Sequence, residues 1–120
     1  MLILAFGASN STTSINARLA RHASQVMATE IAQGAEIHIL NLNKFEMPIY
    51  SPEREEAHGV PDAAHAFRNE IETADALIVS FAEHNGSYTA AFKNTLDWVS
   101  RIDVYVFQNK PALFMSASGG

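Results

Sequence analysis

Four short apolar runs set the possibilities for this chain: "LILAF" (2–6), "EIHILNL" (36–42), "DALIVSF" (75–81) and "ALFMSA" (112–117). Three of them are nearly continuous rather than alternating, which suits parallel strands covered on both faces. The stretches between them carry helical spacing. Ile15, Leu19, Ala23, Val26 and Ile31 recur along the first, with Ser14 or a neighbouring Thr as cap and Gly34 after its end. The second helix is expected to open at Pro61, where a missing N–H costs nothing, and to bury Ala64, Phe67, Ile71 and Ala74. The third spans about Tyr88 to Ser100, with Phe92, Leu96 and Val99 on one face. The order β-α-β-α-β-α-β predicts an α/β fold with a wound parallel sheet.

The chain has 120 residues, enough for a single domain over 1–120. With 48% hydrophobic and 18% charged residues it has the composition of a globular protein. A formal charge of −5 and no Lys/Arg cluster argue against a nucleic-acid partner. No apolar run approaches spanning length, so no membrane partner is expected, and zero Cys fits a reducing cytoplasm. Residues 43–60 form the longest irregular stretch, too long for a mere connector and so expected to be functional or mobile. "ALFMSA" reads as a central strand. A sheet ending on it would leave an apolar edge, so the domain is expected to continue or the edge to be covered by a partner.

In open α/β sheets ligands bind beyond the carboxyl ends of the strands. Three segments reach that rim: 7–16 ("GASNSTTSIN"), 82–88 ("AEHNGSY") and 116–120 ("SASGG"). The first leads into a helix N-terminus, whose free N–H groups and dipole attract anions. Ser9, Ser11, Thr12, Thr13 and Ser14 can add hydroxyls and Asn16 an amide; helix capping explains the same hydroxyls equally well. The stretch is neither a GxGxxG nor a P-loop motif. In the second, Asn85–Gly86 is a strong turn signal, and such a turn aims backbone N–H groups at one place. Glu83 and His84 are neighbours on extended backbone and point opposite ways, so Glu83 is read as fixing the loop and His84 as flanking it. The other His residues show no metal-ligand spacing, and no Ser lies in a hydrolase elbow. Met47 and Tyr50 either wall a ligand or pack locally.

These segments together resemble the NADPH-dependent FMN reductase family of flavodoxin-like proteins. Gly7 to Asn16 matches the family's G-S-x-R-x-x-S-x-N if one residue is allowed after the Gly; Ser9, Ser14 and Asn16 align, and Ser11 stands where the family has Arg. The family's T-P-E-Y-N-G-S and L-K-N-x-[IL]-D-W are matched by Glu83, Asn85, Gly86, Ser87, Lys93, Asn94, Asp97 and Trp98. Ala82 replaces the Pro and His84 the Tyr. Lys110–Pro111 and Ser116-Ala117-Ser118-Gly119 resemble the family's fourth strand and the loop after it.

The resemblance implies a flavodoxin-like doubly wound parallel sheet with four strands present and a C-terminal helix-strand-helix missing. It implies FMN, with its phosphate in the first loop (Ser9, Ser11, Ser14, Ile15, Asn16). The ring is expected between the second loop (Ala82, Glu83, His84, Asn85, Gly86) and the third (Ser116, Ser118, Gly119). It further implies hydride transfer from NAD(P)H to flavin N5 and on to a quinone, flavin, azo or similar small-molecule acceptor, in a homodimer or homotetramer. The flavin then carries the redox chemistry, and no side chain is required as catalytic acid or base. A flavodoxin-like electron carrier and an inactive truncated form are the alternatives. Nothing in the linear sequence reads as an arginine cluster for a 2′-phosphate, and Tyr105 and Phe107 are weak hints of a subunit contact.

Overall fold

The computed structural model describes residues 1–118. Strand β1 (Leu2–Ala8) leads into α1 (Ile15–Val26), which loosens into a π-helical turn at Met27–Ile31. Next come β2 (Glu36–Ile39), a 3₁₀ turn at Leu42–Phe45, α2 (Pro52–His58) and α3 (Asp62–Thr73). Strand β3 (Ala76–Phe81) ends in a small hairpin, β4 (Glu83–His84) and β5 (Ser87–Tyr88), before α4 (Ala90–Val99) and β6 (Ala112–Ser116). The main sheet is parallel, in the order β2-β1-β3-β6. The chain leaves β1 toward β2 and then returns past it to β3, so the strand order reverses between β1 and β3.

The near-continuous apolar runs of β1 and β3 are explained by cover on both faces. Leu4, Phe6, Leu77 and Val79 face a core built with Phe67 and Ile71 of α3 and Phe92, Trp98 and Val99 of α4. Ile3, Ala5 and Ile78 face the opposite way, onto Ala20 of α1. The expected α3 stripe of Ala64, Phe67 and Ile71, continued by Ala74 just past its end, is fully buried.

Three sequence expectations are corrected. The buried face of α1 is Asn16, Ala20 and Ser24, while Ile15, Val26 and Ile31 are exposed. Small side chains let this helix lie close to the sheet, and periodicity of large apolar residues pointed to its outer side. The stretch 43–60 is irregular only in part: Ser51 accepts from the Arg54 N–H and caps α2, with Pro52 in its first turn. Tyr88 belongs to the hairpin rather than to α4, whose cap is Thr89. Strand β6 is the last strand of the described sheet, with Leu113 and Phe114 exposed, the apolar edge that the sequence led one to expect.

Gly7 is where α1 meets the sheet. A Cβ there would lie 2.4 Å from the Ala17 nitrogen and 2.6 Å from its Cα. Both are backbone atoms that cannot turn aside. Gly7→Ala is therefore expected to lower stability by about 1–3 kcal/mol, the range for forced overpacking. Urea unfolding will show this as a lower midpoint with unchanged m-value.

Candidate functional site

The register of the sheet builds the site. Ala8 pairs with Phe81, and Phe81 pairs with Ser116. The three strands before the three rim loops thus end at one level, at the point where strand order reverses, with neighbours about 4.8 Å apart. Side chains then tie the loops together. Asn16, buried at the start of α1, donates from Nδ2 to the Ala117 carbonyl (3.0 Å), and its Oδ1 accepts from the Ala117 N–H (3.0 Å) and the Ser80 hydroxyl (2.6 Å). Thr89 donates to the Ala8 carbonyl (3.0 Å) and accepts from the Phe92 N–H (3.2 Å). Ser116 donates to the Phe81 carbonyl (2.8 Å).

In the first loop the hydroxyl oxygens cap backbone amides. Ser9 accepts from the Ser11 N–H, Ser11 from the Thr13 N–H, and Ser14 from the Ala17 N–H. Accepting these bonds leaves the Ser9 and Ser14 hydroxyl protons to be donated elsewhere. The N–H groups of Ile15 and Asn16, in the first turn of α1, have no intrahelical acceptor. Capping and anion binding are therefore compatible in one loop. Ser9, Ser11, Thr12, Thr13, Ser14 and Ala17 form one wall of a groove of about 710 Å³, whose other wall is Leu40, Asn41, Leu42 and Asn43. Arg18 and Arg21 also line it. Sequence reading missed these two because the opposite wall of the groove comes from the loop after β2, distant along the chain.

The second loop is a two-residue hairpin. Glu83 pairs with Tyr88 and His84 with Ser87 across Asn85 and Gly86, whose φ values are 55° and 80°. Positive φ at both central positions is what a type I′ turn requires, and Asn-Gly supplies it. Glu83 accepts from the Gly86 N–H (3.2 Å), the loop-fixing role read from the sequence. His84 and Asn85 are exposed. Phe81, Ala82, Glu83, Gly86, Tyr88 and Ser116 line a second concavity of about 400 Å³. Ser118 is exposed beyond it, and Gly119 lies outside the described residues.

Asn94 and Trp98 of the Lys-Asn-x-x-Asp-Trp stretch in α4 hold the segment that precedes α2. Asn94 accepts from the Tyr50 N–H (2.8 Å) and donates to the carbonyls of Met47 and Pro48, and the Trp98 indole donates to Pro48 (2.7 Å). Trp98 is 1% exposed and packs edge-on against Tyr50, so it offers no surface for a subunit contact. Desolvation, then a hydrogen bond to Glu55, pushes the Tyr50 phenol above its ordinary pKa. Phe107 is half-buried and stacks on Phe92, whereas Tyr105 is exposed. Among the described residues no group of three or more His, Cys, Asp or Glu side chains could hold a metal ion.

The family description "NADPH-dependent FMN reductase" matches residues 1–120. The chain belongs to this family. It is 40% identical over 74 residues to the NAD(P)H-dependent FMN reductase PA1204 of Pseudomonas aeruginosa, covering 62% of this chain and 40% of that protein. It is 31% identical over 118 residues to an NADPH:quinone oxidoreductase of Arabidopsis thaliana, covering 98% of this chain and 58% of that one. The chain thus spans about half the length of such relatives. Among solved structures, FerB of Paracoccus denitrificans, a flavoenzyme NAD(P)H:(acceptor) oxidoreductase, superposes with a TM-score of 0.67 at 25% identity, covering 99% of this chain and 62% of that one. The fold is flavodoxin-like.

Asn16 acts on the third loop rather than on open space. Asn16→Ala is expected to cost about 1–3 kcal/mol, by stranding the Ser80 hydroxyl and both Ala117 backbone groups. Amide exchange at Ala117 will accelerate more than exchange in β1.

Proposed function

We propose that residues 1–120 form a single FMN-binding unit of an NAD(P)H-dependent oxidoreductase. The observation that carries this is the shared level of Ala8, Phe81 and Ser116, which delivers all three loops to one rim. The residues present fit FMN in chemical terms. Ser9, Ser11 and Ser14 with the amides of Ile15 and Asn16 suit a phosphate. The turn of Glu83, His84, Asn85 and Gly86, with Ala82 before it, suits a flat ring edged with acceptors, and Ser116 and Ser118 border the far side; Gly119, which the resemblance adds to them, lies outside the described residues. When bound, FMN supplies the redox chemistry, taking hydride from NAD(P)H and giving electrons to an acceptor.

The protein's part is to hold and orient. Among the residues assigned to the site, Glu83 braces the turn instead of serving as an acid, and no side chain is assigned a catalytic proton transfer. Relatives named as quinone oxidoreductases favour a small-molecule quinone as acceptor. The exposed Val104 and Tyr105 favour a homodimer or homotetramer. A cytoplasmic site of action fits a cysteine-free chain in which, among the described residues, no helix is long and apolar enough to cross a membrane.

The test is titration of the chain with FMN and with riboflavin, followed by quenching of flavin fluorescence. FMN is expected to bind at least tenfold more tightly than riboflavin, since only FMN engages the first loop. Ser14→Ala is expected to weaken FMN several-fold and leave riboflavin unaffected. Gly86→Val, strained at a φ of 80°, is expected to weaken both. Binding that is followed by NADPH oxidation with an added quinone supports the enzyme. Flavin binding without such turnover returns the electron-carrier reading, and no binding of either flavin rejects the site.

A further inference from the structure

Eight asparagines occur in the chain, and Asn85 alone is followed by glycine. Several of the others are restrained. Asn16 and Asn94 have their amides tied to groups on other elements. Asn41 is engaged by the Asn43 N–H, and Asn69 lies inside α3. Asn85 is exposed, and among the described residues its side chain has no hydrogen-bond partner. Its surroundings are open as well: leaving aside chain neighbours, a Cβ at Gly86 would meet no atom within 4 Å. With no side chain on Gly86 and no element packed over it, the backbone nitrogen of Gly86 is accessible.

The turn that holds these two residues is weakly closed. Its ladder consists of Glu83 with Tyr88 and His84 with Ser87, and all four residues are exposed. A ladder that short opens at small cost. The Gly86 N–H lies outside the ladder and donates to Glu83 Oε2 at 3.2 Å. Glu83 is therefore a latch across the turn, and the group it holds is a nucleophile once released.

We propose that Asn85 is a self-modifying site, converted through Gly86 to aspartate and isoaspartate, and that the Glu83 latch sets the rate. When the turn opens, the Gly86 nitrogen gives its proton to solvent base and bonds to Asn85 Cγ. The Cγ–Nδ2 bond breaks, and ammonia leaves with a proton taken from solvent. Water then opens the resulting cyclic imide at either carbonyl, and no electrons change hands. Opening at one carbonyl gives aspartate, a second carboxylate beside Glu83. Opening at the other gives isoaspartate, which carries the main chain through the side-chain methylene and lengthens a turn whose register depends on its length. That product disturbs the wall of the concavity at Phe81, Gly86 and Ser116. The modification itself does not depend on what the concavity binds.

The test is incubation of the chain in mildly alkaline heavy-oxygen water, followed by tryptic digestion. Fragmentation of peptide 69–93 reads Asn69 and Asn85 separately. Label uptake with the mass gain of amide-to-acid conversion is expected at Asn85, as two chromatographically separable isomers. The rate is expected to be at least about tenfold that at Asn69 or at the exposed Asn10 and Asn109. Glu83→Ala is expected to speed the conversion several-fold, and Glu83→Gln, which keeps an acceptor, to lie between; circular dichroism verifies that each variant is folded. A folded Glu83→Ala variant converting no faster than wild type overturns the latch. The urea-unfolded chain supplies the reference rate for an unrestrained Asn-Gly pair. Asn85 that stays intact in the folded chain after the unfolded chain has fully converted overturns the site, as does a rate no greater than that of the other asparagines.

Discussion

The carboxyl rim of this protein depends on one close approach, between the end of β1 and the first turn of α1. Gly7 permits it by having no side chain where the Ala17 backbone lies. With α1 seated that deeply, Asn16 reaches across to Ser80 and Ala117, and Ser14 is placed to cap the helix. The small buried face of α1 serves the same end, since Ala20 and Ser24 are fully covered. A bulkier face would lift the helix, and the amides of its first turn would no longer border the rim. Helix placement therefore comes before any ligand chemistry in the causal order.

The opposite layer works by bulk rather than by closeness. Phe6 meets Phe67 edge-on at 5.8 Å, and Phe81 is in ring contact with Tyr88, Phe92 and Phe114. These contacts fix α3 and α4 and, through Thr89, the base of the hairpin. The protein thus combines an aromatic layer that supplies burial with a small-residue layer that supplies precision of placement. In the α4 motif, Asn94 and Trp98 spend their polar atoms on the Met47–Tyr50 backbone, so these residues shape the floor near the site without touching the rim.

Much of this was legible in the sequence, for physical reasons that differ by element. Strands β1 and β3 announced themselves because burial on both faces demands continuous apolar residues, and α3 because its stripe is both large and regular. Asn85–Gly86 identified its turn because few residue pairs accept positive φ twice. The buried side of α1 was illegible, since alanine and serine leave no hydrophobic signal while exposed Ile15 and Val26 leave a misleading one. The apolar edge at β6 was legible as well, because "ALFMSA" carries large apolar residues that need cover on both faces. Arg18 and Arg21 escaped notice because a groove between a helix and the loop after β2 is a property of the assembled fold, and no linear window contains both walls.

Asn16 and Ala117 are 101 positions apart, yet a single side chain bonds both polar groups of the Ala117 backbone. That contact can form only after β6 has docked beside β3, which in turn requires the rest of the parallel sheet. Contacts of such sequence separation are among the slowest to be made, because a large loop must close before they return any free energy. The third loop is therefore in place only in the fully assembled molecule, and any ligand that needs it discriminates against every partly folded form. A ligand at this rim acts as a proofreader of folding, drawing the population toward complete chains by mass action.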